Sequence, residues 1–437
     1  MYFITKQFRH LKSNTMKISY LLFTFLILNV RLVVAQDTLR LSLDDAQHQF
    51  TEHNFQLIMQ KFNIESSKAQ ILQSKLFANP NIYYEQGLIN RNVMANDQSL
   101  GPYAQRAVQV QQLILLAGKR NKNIRMAEVS STISEYELFD LLRTLSYSLN
   151  SNFFELAFQY KTLSVYNQEV LKIEKLVTAY RELQKDGNAA LKDVVRLESF
   201  LFSLQSDRNE LELAIAENQV DLRVLLGIGT HTFLLPVINE VTLDSVNIKN
   251  ETVESLITVA EENRYDIKAQ EANIKLANTN LSLQKAYRVP DLTLGYTYDR
   301  AGSYTNNYQA VTVQTNLPVF NRNQGNIKTA DYQLRSNETA LEQARVGLNN
   351  DVILAYTQVL KTEHLYQNSD KQFVQGFNKL IEGVIEGYEK KTISLVEFMD
   401  FFDSYKQNVV QLNTLKNNRI QSYLKLNFSV GKNLFTF

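Results

Sequence analysis

From about Arg120 to Lys185 apolar residues recur every three or four positions, with no proline or glycine between them. Leu138, Leu142, Leu145, Leu149, Phe153 and Leu156 lead the series, and Val170, Ile173, Val177 and Tyr180 close it. A spacing near 3.5 sustained this long predicts a helix of coiled-coil type. At 1.5 Å per residue it is about 100 Å long, too long for the interior of a globular domain. A second run of similar length is predicted from about Asn326 to Lys390, and Gly227 and Gly431 read as C-terminal stops of the helices that follow. Elsewhere the period is two. Leu292, Leu294, Tyr296 and Tyr298 alternate with Thr293, Gly295, Thr297 and Asp299. Val311, Val313, Thr315, Leu317 and Val319 alternate with polar or small residues such as Thr312 and Gln314. Two rougher runs precede these: Ile82, Tyr84 and Leu88 on one face, then Val108 and Val110 against Gln109 and Gln111. Such alternation predicts strands between two different solvents.

The elements come twice. Residues 51–57 match 261–267, and Asn79-Pro80 matches Val289-Pro290, both at an offset of 210. Further on the offset is 204: residues 112–116 match 316–320, 188–193 match 392–397, and Leu226-Gly227 matches Val430-Gly431. The change of six falls between the paired strands, where a hairpin loop absorbs it. Each half therefore reads helix, strand, strand, long helix, helix, with Pro80 and Pro290 ending the first helices. The expected units are 36–240, with strands at about 81–90 and 103–116, and 241–437, with strands at about 291–300 and 308–320.

Composition narrows the classes. Fourteen glycines and five prolines among 437 residues argue against a loop-rich all-β fold. With no cysteine there is no disulfide framework, thiol chemistry or acylated-cysteine anchor. None of the five histidines pairs with another at i, i+3 or i+4, and no phosphate loop or nucleophile elbow occurs, so neither catalysis nor a cofactor is expected. The net charge of +1 gives no field directed at nucleic acid. That balance hides an asymmetry: residues 1–35 carry five basic and no acidic side chains, leaving 41 basic against 45 acidic in the remainder. The basic start, the apolar run Ile18–Val30 and Val33-Val34-Ala35 predict a secretory signal cut after Ala35, with Met16 as an alternative start. Four amphipathic strands cannot close a membrane barrel alone, whereas three chains supply twelve.

The order of elements, their duplication, Leu115-Leu116-Ala117-Gly118-Lys119-Arg120 after the second strand and Leu317-Pro318-Val319-Phe320-Asn321-Arg322-Asn323-Gln324-Gly325 after the fourth resemble the TolC-type outer-membrane efflux family, over about 40–435. The second motif is similar to the branch serving heavy-metal and related resistance–nodulation–division (RND) pumps. The resemblance implies a mainly α fold with a small β part: a homotrimeric α-helical barrel continuous with a 12-stranded transmembrane β-barrel. It implies an outer-membrane exit duct in contact with outer-membrane lipid, joined by a periplasmic adaptor to an inner-membrane RND-type pump and carrying metal ions or other solutes. The lack of cysteine departs from the many lipid-anchored relatives. A duct for type I protein secretion and a periplasmic coiled-coil scaffold or adaptor are the competing readings; the two hairpins weigh against a scaffold.

Carried onto Lys391–Asp400, the resemblance also implies a periplasmic gate at the helix–helix turns. Glu397 and Asp400 become its acidic pair, Tyr388 its tyrosine and Asp193 the partner of that tyrosine. The gate arginine of the family falls at Ile393, so a salt-bridge latch is not expected. Independently, Glu397 and Asp400 lie three apart on one helix face, and three-fold symmetry gathers six carboxylates, which attract cations. Read without the repeat, the pair is a solvated helix face, Tyr388 a coiled-coil residue and Asp193 an acid favoured at a helix start.

Overall fold

The computed structural model describes residues 37–87, 105–248, 251–301, 305–368, 380, 383–388, 390 and 392–437. The expected signal segment, Leu88 and Lys391 lie outside these residues. Two long helices dominate: α3 (Lys119–Lys185), of 67 residues, and α8 (Gln324–Asn368), of 45. The first matches the predicted run to within one residue. In the second, helical structure is described again at 380 and 383–388.

The predicted first helix of each half is in fact two. In the first half α1 (Leu43–His53) is followed at once by α2 (Phe55–Lys75). Asn54 makes the break: its extended backbone ends one helix while its side chain accepts from the N–H groups of Gln56 and Leu57. In the second half α6 (Val253–Asn263) gives way to α7 (Tyr265–Ala286) at Arg264, with no side-chain cap. Each break receives the end of a helix returning from the far end of the molecule. α4 (Leu191–Leu226) ends at Gly227, which has φ +64°, and a Cβ there would lie 2.5 Å from the His53 carbonyl oxygen. α9 (Leu395–Val430) ends at Gly431, with φ +74°, against Asn263 and Arg264. Glycine is required at both for its backbone conformation and for the close approach.

Packing follows a line. α2 and α4 contact α3; α3 contacts α7 and α9; these contact α8. The result is a wall one helix thick and four columns wide, in which α2 continues the column of α4 and α7 that of α9. Leu149, Phe153 and Leu156 of α3 form its buried middle with Phe50, Leu222 and Leu424. Each fully buried side chain of this kind contributes about 1.5–3 kcal/mol. The sequence pattern missed a parallel pair at this level, β1 (Asp37–Leu41) with β4 (Thr232–Pro236), and the short helix α5 (Glu240–Ser245). Five-residue strands with nearly 200 residues between them leave no local signal.

At the end opposite the helical hairpins lies one four-stranded antiparallel sheet: β2 (Asn81–Gln86), β3 (Arg106–Ile114), β5 (Leu292–Ala301) and β6 (Asn306–Thr315), in that spatial order. β2, β3 and β6 are shorter than the alternation suggested, whereas β5 has the expected length. The ladder ends at Thr315 opposite Leu292, so Leu317, Val319 and Phe320 fall beyond β6, and Pro318 could not have donated to an extension of it. The register places Ile82, Val110, Tyr296 and Val311 in one row across all four strands, and Leu294 beside Val313 in the next. This face is apolar and exposed: Ile82 is 69% and Val311 78% accessible. The outer edges of β2 and β6 pair with no strand among the described residues.

Candidate functional site

The helical tip is built by two different stops. α3 ends in a Schellman turn: Asn188 N–H donates to the Leu183 carbonyl (2.7 Å), Gly187 N–H to Gln184 (3.1 Å), and Gly187 has φ +75°. The second turn ends at a capping box. Glu397 N–H donates to Ser394 Oγ (3.3 Å), and Ser394 N–H donates to Glu397 Oε2 (2.8 Å). Beneath both turns is an apolar core of Val170, Ile173 and Val177 from α3, Leu197 from α4, Val384, and Phe398 and Phe402 from α9.

Of the four residues singled out, two lie at the surface of α9: Glu397 and Asp400 are both exposed. The Ser394 N–H, then the Ser394 hydroxyl, hold the Glu397 carboxyl below its ordinary range. One oxygen of the expected acidic pair is thus committed to ending its own helix, a role the Ser-x-x-Glu spacing could have signalled. Tyr388 and Asp193 are half-buried, Asp193 in the first turn of α4. The Tyr388 hydroxyl donates to the Tyr180 hydroxyl rather than to Asp193. Its ring stacks on Phe398 (centroids 4.5 Å apart) and lies nearly parallel to Tyr180 (6.2 Å, 13°). Burial, the bond to Tyr180 and the nearby Asp193 charge all push the Tyr388 phenol upward, so it stays neutral. Tyr180 and Phe398 are thus parts of the tip that motif matching did not find. Tyr180 appeared only as the last member of the α3 repeat.

A second feature lies in the wall above the tip. Lys406 of α9, largely buried, bonds Asp207 of α4 (3.3 Å) and Asp403 (3.1 Å). Beside it Glu169 of α3 is only 2% accessible, and neither carboxylate oxygen has a hydrogen-bond partner. Burial pushes the Glu169 carboxyl up to about 8, against the weaker pull of Lys406 and Lys172. Among the described residues no three His, Asp or Glu side chains converge to hold a metal ion, and no helix is long and apolar enough to cross a membrane.

The chain is thus a wall of paired long helices carrying an amphipathic sheet with open edges. Residues 256–432 match the family model for outer membrane efflux proteins, and the resemblance to the TolC-type efflux family read from the duplicated motifs holds. The chain is 20% identical over 371 residues to the cobalt-zinc-cadmium resistance protein CzcC of Cupriavidus metallidurans, covering 82% of each chain. Its fold is that of the CmeC outer membrane channel of Campylobacter jejuni (TM-score 0.74, 14% identity, 89% of this chain and 85% of that). The MtrE outer membrane channel of Neisseria gonorrhoeae, solved in its open state, is also similar (TM-score 0.70, 16% identity, 90% and 89%).

Proposed function

We propose that the protein is the outer-membrane exit duct of a tripartite efflux system, conducting solute passively rather than catalysing a reaction. The observation that carries this is the exposed apolar face of a four-stranded sheet set on a helical wall whose longest helix is about 100 Å long. Backbone groups along an open sheet edge cannot remain unpaired in lipid. Three copies close twelve strands into a barrel, and the same symmetry bends three helical walls into a tunnel. The open columns of the wall support this, since they expose Phe62 of α2, Phe202 of α4 and Val346 of α8. In this reading 36–240 and 241–437 are two repeats, residues 1–35 are a cleaved signal, there is no lipid anchor, and the helical tip lies in the periplasm.

At that tip Glu397 and Asp400 of three chains form the acidic constriction. Tyr388, held against Tyr180 and near Asp193, keeps the tip closed until an adaptor protein parts the helices. An inner-membrane RND-type pump supplies the energy. The likeness to CzcC favours divalent metal ions as cargo. Such cations meet the exposed carboxylates in passing, and permeation favours weak binding over a tight site.

Fractionation with mass measurement of mildly extracted protein tests the duct. A trimer in the outer membrane is expected; a water-soluble monomer or dimer would establish a periplasmic scaffold instead. Bilayer recordings of Glu397→Ala/Asp400→Ala then test the gate: cation preference should fall, and unchanged selectivity removes these residues from it.

A further inference from the structure

The charge of the chain is nearly balanced overall, with 46 basic and 45 acidic residues, but not where sheet meets helix. Four segments make that junction: 72–80, 115–125, 283–291 and 316–328, each a connection with its adjoining one or two helical turns. Together they hold nine basic residues and one acidic residue. The acid, Asp291, is already engaged, accepting from Lys119 Nζ (2.7 Å) and the Leu116 N–H (2.9 Å). A strongly basic collar therefore lies along the base of the exposed apolar sheet.

Its side chains alternate with exposed apolar ones. Phe77 is 76% and Phe320 93% accessible, with Leu317 and Val319 beside the latter. The Arg120 guanidinium lies 4.3 Å from the centre of the Phe77 ring, which orients it. Arg120 also lines a cleft of about 500 Å³ between α2 and α3, together with Gln73, Ser74 and Asn123 and with the apolar Leu76 and Leu115. Arg120 Nε is buried there without a hydrogen-bond acceptor. A cleft with donors on one side, an apolar lip and a buried guanidinium N–H in need of an acceptor fits a phosphodiester attached to acyl chains. The junction is also rigid: Gln112 donates to the Ala78 carbonyl (2.8 Å), and Asn323 to the Gln284 carbonyl (2.8 Å).

We propose that this collar binds anionic phospholipid headgroups of the periplasmic leaflet, one of them seated in the cleft beside Arg120. The inference rests on the membrane placement above and adds to it a lipid class and the residues that select it. Basic side chains at an anionic surface each contribute about fivefold to binding. The collar thus fixes the depth of the sheet in the bilayer electrostatically, where aromatic rings alone would fix it by partition.

The test is native mass spectrometry of the full chain in a mild non-ionic detergent. It is offered phosphatidylglycerol and phosphatidylcholine with matched acyl chains. The wild type should retain phosphatidylglycerol at least tenfold more than phosphatidylcholine, and the preference should collapse at about 0.5 M salt, where screening is short-ranged. Arg120→Gln/Arg288→Gln/Arg322→Gln/Lys328→Gln should lose at least an order of magnitude of it, while Arg120→Lys, which keeps the charge but removes the guanidinium N–H, should lose less than that. Equal retention of both lipids by a wild-type outer-membrane trimer overturns the collar and leaves the duct standing. A wild type found soluble in the periplasm overturns the duct first. Displacement of the lipid by millimolar inorganic phosphate would assign a simple phosphate site. Dissociation of the fourfold variant into monomers with its lipid preference intact would assign these residues to contacts between copies. Either result overturns the proposal.

Discussion

Glu169 gives a sharp test of the wall, because a carboxyl buried without partners must change its protonation when the chain folds. Among the described residues its cationic neighbour on another helix is Lys406, which is already bonded to Asp207 and Asp403, so little attraction is left to hold Glu169 as an anion. The carboxyl moves from an ordinary value of 4.5 to about 8 on folding. Between those values the folded state binds the proton and the unfolded state does not, so stability falls as pH rises. At about 1.4 kcal/mol per pH unit the penalty is under about 1 kcal/mol at pH 5 and about 3 kcal/mol at pH 7, and it grows little beyond pH 8. Glu169→Gln removes the titration and keeps the shape. The assay is thermal unfolding followed by circular dichroism at pH 5, 6, 7 and 8, wild type against variant. The variant should be more stable at pH 8 by about 4 kcal/mol, several degrees in midpoint, and the difference should shrink to under about 1 kcal/mol at pH 5. Parallel pH profiles for the two proteins, or a variant that is less stable at pH 8, would refute the assignment of Glu169 as a neutral buried acid.

Three further outcomes follow from the packing. Arg419 is buried with Glu363 (2.7 Å) and donates to the carbonyls of Leu243 and Val246, so Arg419→Met should cost about 3–5 kcal/mol in denaturant unfolding by stranding Glu363. Adding Glu363→Leu should recover most of that loss. Gly227→Ala should cost well over 1 kcal/mol, through strain and its clash with His53, whereas Gly187→Ala, with open space around it, should cost about 1 kcal/mol in the same measurement. On the sheet, Val313→Arg should destabilise the membrane-inserted protein by about 2–4 kcal/mol. Gln314→Arg, on the opposite face, should do so far less; equal losses in a refolding titration would mean that the sheet does not present one face to lipid.

Much of the molecule was legible because its signals are local. The 3.5-residue spacing fixed α3 almost to the residue. Prolines placed the entries to the sheet, and Gly227 and Gly431 marked two helix ends. Three of the four strands were overdrawn; alternation at Leu317 and Val319, for example, continues past Thr315, where the ladder to β5 ends. The break at Asn54 had a capping signal, while Arg264 had none, because its place depends on ion pairs with Asp266 and Asp351 (3.0 Å).

Periodicity and chain stops thus determined the helices, the hairpins and the faces they bury, all properties set by neighbours a few residues away. Tertiary structure alone decided what lies opposite what. It set the order that joins two distant hairpins into one sheet, and it paired β1 with β4. It turned Tyr388 to Tyr180, buried Glu169 beside Lys406 of α9, and drew scattered lysines and arginines to the foot of one sheet. Each of these is a contact between segments tens to hundreds of residues apart, and a linear pattern carries no information about such a distance until the chain has folded.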